Sequence, residues 1–482
     1  MFRARPQLIP PGRADRRAAL WGLAAGLILA GSPFARAETA AGPPLTPPNL
    51  LILMTDDQRW DTVGFMGNRM IRTPHLDRLA AEGVVFENHF VTTSICSISR
   101  ATFYTGQWAR RHGIQDFARP LSPEALAKTY FTRLRRAGYR VGFVGKWGLG
   151  GALPAEAFDY FTGYPGQGRY FEPEDPERVH LTRRLGDQAL AFLSATPADQ
   201  PFCLTVAFKA PHVQDNSPDP FQPDPRYDEL YGEVVIPAPK TAAAAYFEAL
   251  PEFLRVSEGR VRWGQRFSSP EHFQDSVRKY YRLITGVDDV VGELVQALEA
   301  RGVAGRTVIV FTSDNGFFLA ERGLAGKWLM YEESIRTPMM IHDPRLAAEH
   351  RGRRLRVMTL NVDLAPTLLD LAGLATPGAM QGRSLAPLMT GEAPADWRTE
   401  WFYEHLFARP GAPGIAPIPQ TEGVRTERWK YIRYIEQEPP YEELFDLVQD
   451  PLEERNLAGE AAYADQLKAM RERWKRLREA AR

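Results

Sequence analysis

The chain has 482 residues, enough for one large domain and a smaller one at ~150 residues per domain. With 44% hydrophobic and 24% charged residues it is not composed like a disordered chain. Its 59 basic side chains balance 59 acidic ones, which excludes an overall attraction for nucleic acid or an anionic membrane, so any anion site has to be local.

The first segment, "RRAALWGLAAGLILAGSPFARAET", places arginines before an apolar stretch from Ala18 to Gly31 and small residues at Ala35 and Ala37. That order predicts a signal peptide over residues 1–37, cleaved after Ala37, and export to the periplasm or the medium. Arg16 and Arg17 allow a twin-arginine route as well as the general secretory one. The apolar stretch is shorter than the ~20 residues of a spanning helix, and no later segment is apolar enough to cross a bilayer. A Pro-rich spacer, 38–48, follows. Export favours paired cysteines, yet two in this length make no disulfide scaffold.

"NLLILMTDDQ" is a continuous apolar run stopped by polar residues, the pattern of a strand buried on both faces in a parallel sheet. "TPHLDRLAAEG" reads as a helix and "VVFENHFV" as a strand. "PEALAKTYFTRLRRAGY" then "RVGFVGKWG", and "HLTRRLGDQALAFLSA" then "PFCLTVAFKAPH", repeat the alternation. Cys203, inside that last run, reads as a small core residue. From His212 to Tyr246 the chain is rich in Pro and Asp without periodicity, a long surface excursion. Apolar residues at three- and four-residue steps predict the longest helix over Phe273–Ala300. "RTVIVFTSDNG" is a further buried strand. Strands alternating with helices predict an α/β fold, a large and mostly parallel sheet sandwiched by helices, over 49–395. The aromatic strands "TEWFYEH" and "ERWKYIRYI" and a charged helix near 461–478 predict a small α+β subdomain over 396–482.

In such sheets ligands collect beyond the carboxyl ends of the strands. Three predicted strands end there in polar clusters: Asp56 and Asp57, Asp314 and Asn315, and Lys209 with His212. Asp and Asn are ordinary strand-end turn residues. Two such clusters together nevertheless suit a hard divalent cation, since oxygen-only ligands favour Ca²⁺ or Mg²⁺ over zinc. The other cysteine, Cys96, precedes "SISRATFYTG", where Ser97 and Ser99 suit a helix start and Arg100 adds a positive charge one turn along. A helix N-terminus of that kind holds anions.

"CSISRATFYTG" resembles the signature of the type I sulfatases of the alkaline phosphatase superfamily. "TDDQRWD", "TPHLDRLAAEG", "GKWGLG", "FKAPH", "SDNGFFLAERGLAGKW", "YEESIRTPMMI" and "ELFDLVQDPLEERNLA" stand around it in that family's order, from Asn49 to about Leu457. The resemblance implies that Cys96 is oxidised to formylglycine by a formylglycine-generating or sulfatase-maturating enzyme. One hydroxyl of the hydrated aldehyde then attacks sulfur in line, and the second helps expel sulfate. It implies Ca²⁺ on Asp56, Asp57, Asp314 and Asn315, with the modified Cys96 as a further ligand, and Arg100 holding the hydrate. Lys146 and Lys327 would grip sulfate oxygens and His212 would protonate the departing alkoxide. His112 in "RRHGI" is expected to hold the turn after the signature helix.

Three residues depart from the family pattern. Ile98 stands where proline or alanine favours the modifying enzyme, Gly148 where many relatives have the histidine of "GKWHLG", and Arg322 where "GEHG" has histidine, which would place a permanent cation near the substrate. The implied activity is hydrolysis of a sulfate ester, of a carbohydrate in the first reading. An aryl sulfate, a phosphate or a phosphonate ester is the alternative on the same scaffold, and a non-catalytic sulfoglycan-binding protein is the alternative if Cys96 stays a thiol. The excursion after His212, with Tyr403, His405, Arg425 and Trp429, is expected to shape a sugar pocket.

Overall fold

The computed structural model describes residues 47–391, 393–407 and 415–482; the expected signal peptide lies outside them. Fourteen strands run in chain order: β1 (Asn49–Asp56), β2 (Val84–Phe90), β3 (Arg140–Lys146), β4 (Tyr160–Tyr164), β5 (Phe202–Pro211), β6 (Thr307–Ser313), β7 (Phe318–Leu319), β8 (Ala325–Gly326), β9 (Met339–His342), β10 (Arg353–Leu360), β11 (Glu400–His405), β12 (Thr421–Thr426), β13 (Trp429–Tyr434) and β14 (Tyr441–Asp446).

Eight of them form one sheet in the order β10-β2-β9-β6-β1-β5-β3-β4. Only β9 runs antiparallel to its neighbours β2 and β6; the remaining pairs are parallel. β1, β5 and β6 lie side by side at the centre and are buried along their whole length, which is why they read as unbroken apolar runs. One core, with Leu51, Leu53, Phe192, Leu204, Ile284 and Val291, lies on one face of the sheet, and a second, with Leu50, Ile52, Phe103, Phe143, Val308 and Leu368, on the other.

The longest helix is Pro270–Ala300, one turn longer than the periodicity predicts. Ser269 caps it by accepting from the His272 N–H, and Pro270 stands at its first position, where the missing N–H costs nothing. "PEALAKTYFTRLRRAGY" forms two short helices, Pro123–Leu126 and Tyr130–Arg136, because Ser122 and Thr129 each start one. The alternation left out β4, β9 and β10. β10 carries arginines at Arg353, Arg354 and Arg356 on the sheet edge, and β4 is only half-buried on the opposite edge, so neither shows an apolar run.

Strands β11 to β14 make a consecutive antiparallel sheet covered by the helix Ala464–Ala480 through Val424, Tyr431, Leu444, Leu467 and Met470. Its other contacts reach the main domain: Trp401, Tyr403 and Tyr434 share a core with Ile95, Ile98, Trp328 and Tyr331. The small sheet therefore buttresses the segments around Cys96 and Lys327. No helix among the described residues is long and apolar enough to cross a membrane.

Candidate active site

Asp56 is the last residue of β1, and the chain turns at Asp57, whose φ of 60° is left-handed. A non-glycine residue held there stores of order 1 kcal/mol and needs support from its surroundings. The support is visible: the Asp57 N–H donates to Asp314 Oδ1 at 3.3 Å, its carbonyl accepts from the Tyr280 hydroxyl at 2.6 Å, and the next N–H, of Gln58, donates to Ser313 Oγ at 3.0 Å. β1 and β6 end side by side, so their terminal side chains meet.

Cys96 opens the helix Cys96–Thr105, all ten residues of which are buried. The capping position is Ile95, whose carbonyl accepts from the Ser99 N–H at 2.9 Å. Ser97 and Ser99 do not cap it, contrary to the sequence expectation. Both are inside the helix, where Ser97 donates to the Asp116 carbonyl and Ser99 accepts from Asn361 Nδ2, because tertiary partners outbid the local cap. Arg100 lies fully buried one turn on. Its Nε donates to Asp314 Oδ2 at 2.8 Å, Nη1 to the Lys146 carbonyl at 2.6 Å and Nη2 to Asp56 Oδ2 at 3.3 Å.

Lys146 ends β3 and pairs with Asp56; Lys327, just after β8, pairs with Asp57. Asn315 Nδ2 donates to Asp57 Oδ1 at 2.6 Å, and His212 Nε2 stands 3.6 Å from Asp57 Oδ2. The structure thus brings together the nine residues to which the resemblance gives catalytic or metal-binding roles. Gln167, in the turn after β4, joins them; it accepts from Lys146 Nζ, and its Nε2 lies 4.0 Å from Cys96 Sγ. No motif marked it, since the strand that positions it shows no apolar run.

Three carboxylates here face three cationic side chains, all buried. Burial pushes the Asp56 carboxyl up, but Lys146, then His212, Lys327 and Arg100, outweigh it and hold it well below the usual range. Burial raises Asp314 to about 6, with Asp56 adding repulsion against the pull of Arg100. Burial pushes the His212 imidazole well below its usual value, and the nearby lysines act in the same direction. His212 Nδ1 lies 2.7 Å from the Val213 carbonyl, which can only accept, so Nδ1 carries the hydrogen and Nε2 faces the site. Asp56 Oδ1 and Asn315 Oδ1 are buried without a hydrogen-bond donor. Two orphaned oxygens among carboxylates and an amide fit a hard, oxygen-binding cation, with carboxylate atoms of Asp56 and Asp57 within 4.8 Å of each other.

Above this cluster opens a cavity of about 1120 Å³. Cys96, His212, Lys327 and Gln167 contribute to it from the cluster. Gln214, Asn216 and Ser217 of the excursion, Arg262 and Arg266 of the helix Glu258–Arg266, and Phe407 and Ile418 form its walls. Tyr403, His405, Arg425 and Trp429 do not line it: Tyr403 and His405 are buried, Arg425 pairs with Glu332, and Trp429 packs on Tyr463. Arg322 is not beside the substrate space either. It is buried, paired with Glu333 at 3.0 Å, donates to the Leu452 and Glu453 carbonyls, and lies over the Tyr331 ring. His112 joins Thr102 Oγ1 to the Ile114 N–H, holding the turn after the signature helix.

Residues 48–374 match the family model described as sulfatase, and residues 320–480 the one described as the C-terminal part of N-sulphoglucosamine sulphohydrolase. The chain belongs to the sulfatase family. This sulfatase is 29% identical to an N-acetylglucosamine-6-O-sulfatase of Bacteroides thetaiotaomicron over 88% of its own length and 85% of the relative's. It is 30% identical to a choline-sulfatase of Rhizobium meliloti over 85% and 82%. Its fold superposes on a solved structure in complex with its substrate D-glucosamine-2-N,6-O-disulfate with a TM-score of 0.77, at 27% identity, covering 90% of this chain and 98% of the other. A phosphonate monoester hydrolase of Agrobacterium radiobacter gives 0.76 at 25% identity, covering 90% and 96%. Membership makes the sulfatase a hydrolase of sulfuric esters.

Proposed function

We propose that this sulfatase removes an O-sulfate from a sugar of glycosaminoglycan type, with Cys96 entering the reaction as formylglycine and Ca²⁺ held by Asp56, Asp57, Asp314 and Asn315. The observation that carries the sugar reading is the cavity: its volume and its amide and hydroxyl groups, Gln214, Asn216, Ser217 and Gln265, suit a ring bearing several hydroxyls. The likeness to an N-acetylglucosamine-6-O-sulfatase and to a structure bound to a sulfated glucosamine supports it.

Oxidation of the Cys96 thiol supplies, after hydration, a hydroxyl for attack on sulfur, and the cation supplies positive charge against the sulfate oxygens. The chain's own residues do the rest. The start of the helix Cys96–Thr105 puts the positive end of its dipole beside position 96, and Arg100, anchored by Asp314 and Asp56, holds a fixed charge below it. Lys146 and Lys327 reach the same oxygens from two strand ends and neutralise charge that grows in the transition state. His212 presents Nε2 to the site, 3.6 Å from Asp57; Asp56 and the ester's own negative charge favour the imidazolium that hands its proton to the leaving alkoxide. Gln167 links Lys146 to position 96 and orients both.

Residues 1–37 direct the enzyme to the periplasm or the medium, and a maturating enzyme of the same cell converts Cys96. Protein made together with such an enzyme is to be given N-acetylglucosamine-6-O-sulfate, 4-nitrophenyl sulfate and a phenyl phosphonate monoester. The sugar sulfate is expected to be favoured in kcat/KM by about 100-fold, the size that several buried polar contacts supply. A preference for the aryl sulfate or the phosphonate would overturn the sugar reading.

A further inference from the structure

Arg266 is the last residue of the helix Glu258–Arg266 and lines the cavity that reaches Cys96 and Lys327. Only 4% of its surface is exposed, yet its Nε and Nη1 have no hydrogen-bond partner among the described residues. Arg262, one turn earlier, lines the same wall but is paired with Glu258 and packed over the Trp328 ring at 4.7 Å. Arg266 has the face of Phe317 at 5.8 Å on one side. A buried guanidinium with two unmet donors is costly unless something in its surroundings answers it. The helix C-terminus answers only part, through its carbonyls, which favour a cation there weakly. Burial, with Arg262 adding repulsion, lowers its pKa to about 9, so the group is charged at neutral pH. Asp215, Asp57 and Glu258 lie near enough to favour that charge.

We infer that Arg266 is a specificity-determining residue: it binds a second anionic group of the substrate, a sulfate or a carboxylate, while the ester to be cleaved lies at Cys96 and Lys327. The inference rests on the sugar reading above and narrows it to sugars carrying two negative charges. A buried guanidinium with two unmet N–H donors answers the negative oxygens of either group, and burial makes such a charge-assisted contact strong. Ser276 Oγ donates to the Arg266 carbonyl at 2.7 Å and anchors the backbone there before a ligand arrives.

The test compares kcat/KM of the mature enzyme on three compounds: N-acetylglucosamine-6-O-sulfate, D-glucosamine-2-N,6-O-disulfate, and the 6-O-sulfated N-acetylglucosamine joined to a uronic acid. The first has one negative charge, and the others add a sulfate or a carboxylate. The inference predicts that at least one dianionic compound is favoured about tenfold or more through KM, the usual scale for a charge-assisted contact. In Arg266→Gln that ratio falls to within about threefold of one, and in Arg266→Lys it is intermediate, because the charge survives without the spread of guanidinium donors. The source of the anion is read from which compound is favoured. A wild-type enzyme with no preference for either dianion overturns the inference without needing any variant, as does a preference that survives in a folded Arg266→Gln. Turnover of none of the three compounds would instead refute the sugar reading, and this inference would fall with it.

Discussion

The backbone of Gly148 stands against the side chain of Arg100: a Cβ at position 148 would lie 2.4 Å from Arg100 Cδ, and φ there is +84°. The glycine found where many sulfatases have histidine is thus matched to the way Arg100 crosses beneath Cys96 towards Asp314 and the Lys146 carbonyl. Both space and backbone disfavour a side chain.

Gly148→Ala is therefore expected to lose about 1–3 kcal/mol of stability from left-handed strain and the clash together. Turnover should fall by at least about tenfold, as Arg100 is pushed off Asp314. Thermal melting and steady-state kinetics on the same preparation check both; wild-type values for each would show that Arg100 has another stable path.

Removing the proposed cation is expected to destabilise the enzyme, because Asp56 Oδ1 and Asn315 Oδ1 are left without hydrogen-bond partners and Asp56, Asp57 and Asp314 repel one another. At a hundredfold excess of Ca²⁺ over its dissociation constant the loss on chelation is about 2.7 kcal/mol. Melting with chelator, then with Ca²⁺ restored, reads this directly. Asn315→Ala should lose most of the Ca²⁺-dependent shift.

Arg322→His, which restores the residue common in the family, should weaken rather than improve the enzyme. It removes the pair with Glu333 and the bonds to the Leu452 and Glu453 carbonyls inside the fold. A loss of about 3–5 kcal/mol is expected from breaking a buried charge pair, with KM changed by less than about twofold, since the side chain is outside the cavity. Chemical denaturation and KM measurements separate the two effects.

Tyr403 links the small sheet to the site: its hydroxyl donates to the Trp328 carbonyl and accepts from the Ser94 N–H at 3.3 Å. Tyr403→Phe leaves both buried groups unmet, at a cost of about 1–3 kcal/mol. Because Trp328 follows Lys327 and Ser94 nearly adjoins Cys96, kcat should drop more than KM rises. A change confined to stability would show that the small sheet only supports the fold.

Particular residues explain how much could be read from the sequence. β1, β5 and β6 were legible because a strand buried on both faces needs apolar residues at every position, and the polar groups at their ends were legible because they interrupt such runs. β4, β9 and β10 were not: one is half-buried, one is four residues long and one alternates with arginine. Tyr403 and Arg425 were misplaced because aromatic and basic side chains look alike in a sequence whether they line a pocket or join two sheets. The helix Glu258–Arg266 carries no long apolar stripe to signal it, so the cavity wall bearing Arg262 and Arg266 came to light only in three dimensions.

Cys96 decides the account. The measurement is sulfate release from a sugar sulfate by preparations that differ in the fraction of aldehyde at position 96, with that fraction read by mass spectrometry of the peptide. Release should rise in proportion to the aldehyde and vanish in a folded Cys96→Ala. Equal release from protein that holds only thiol there, or from Cys96→Ala, would contradict it.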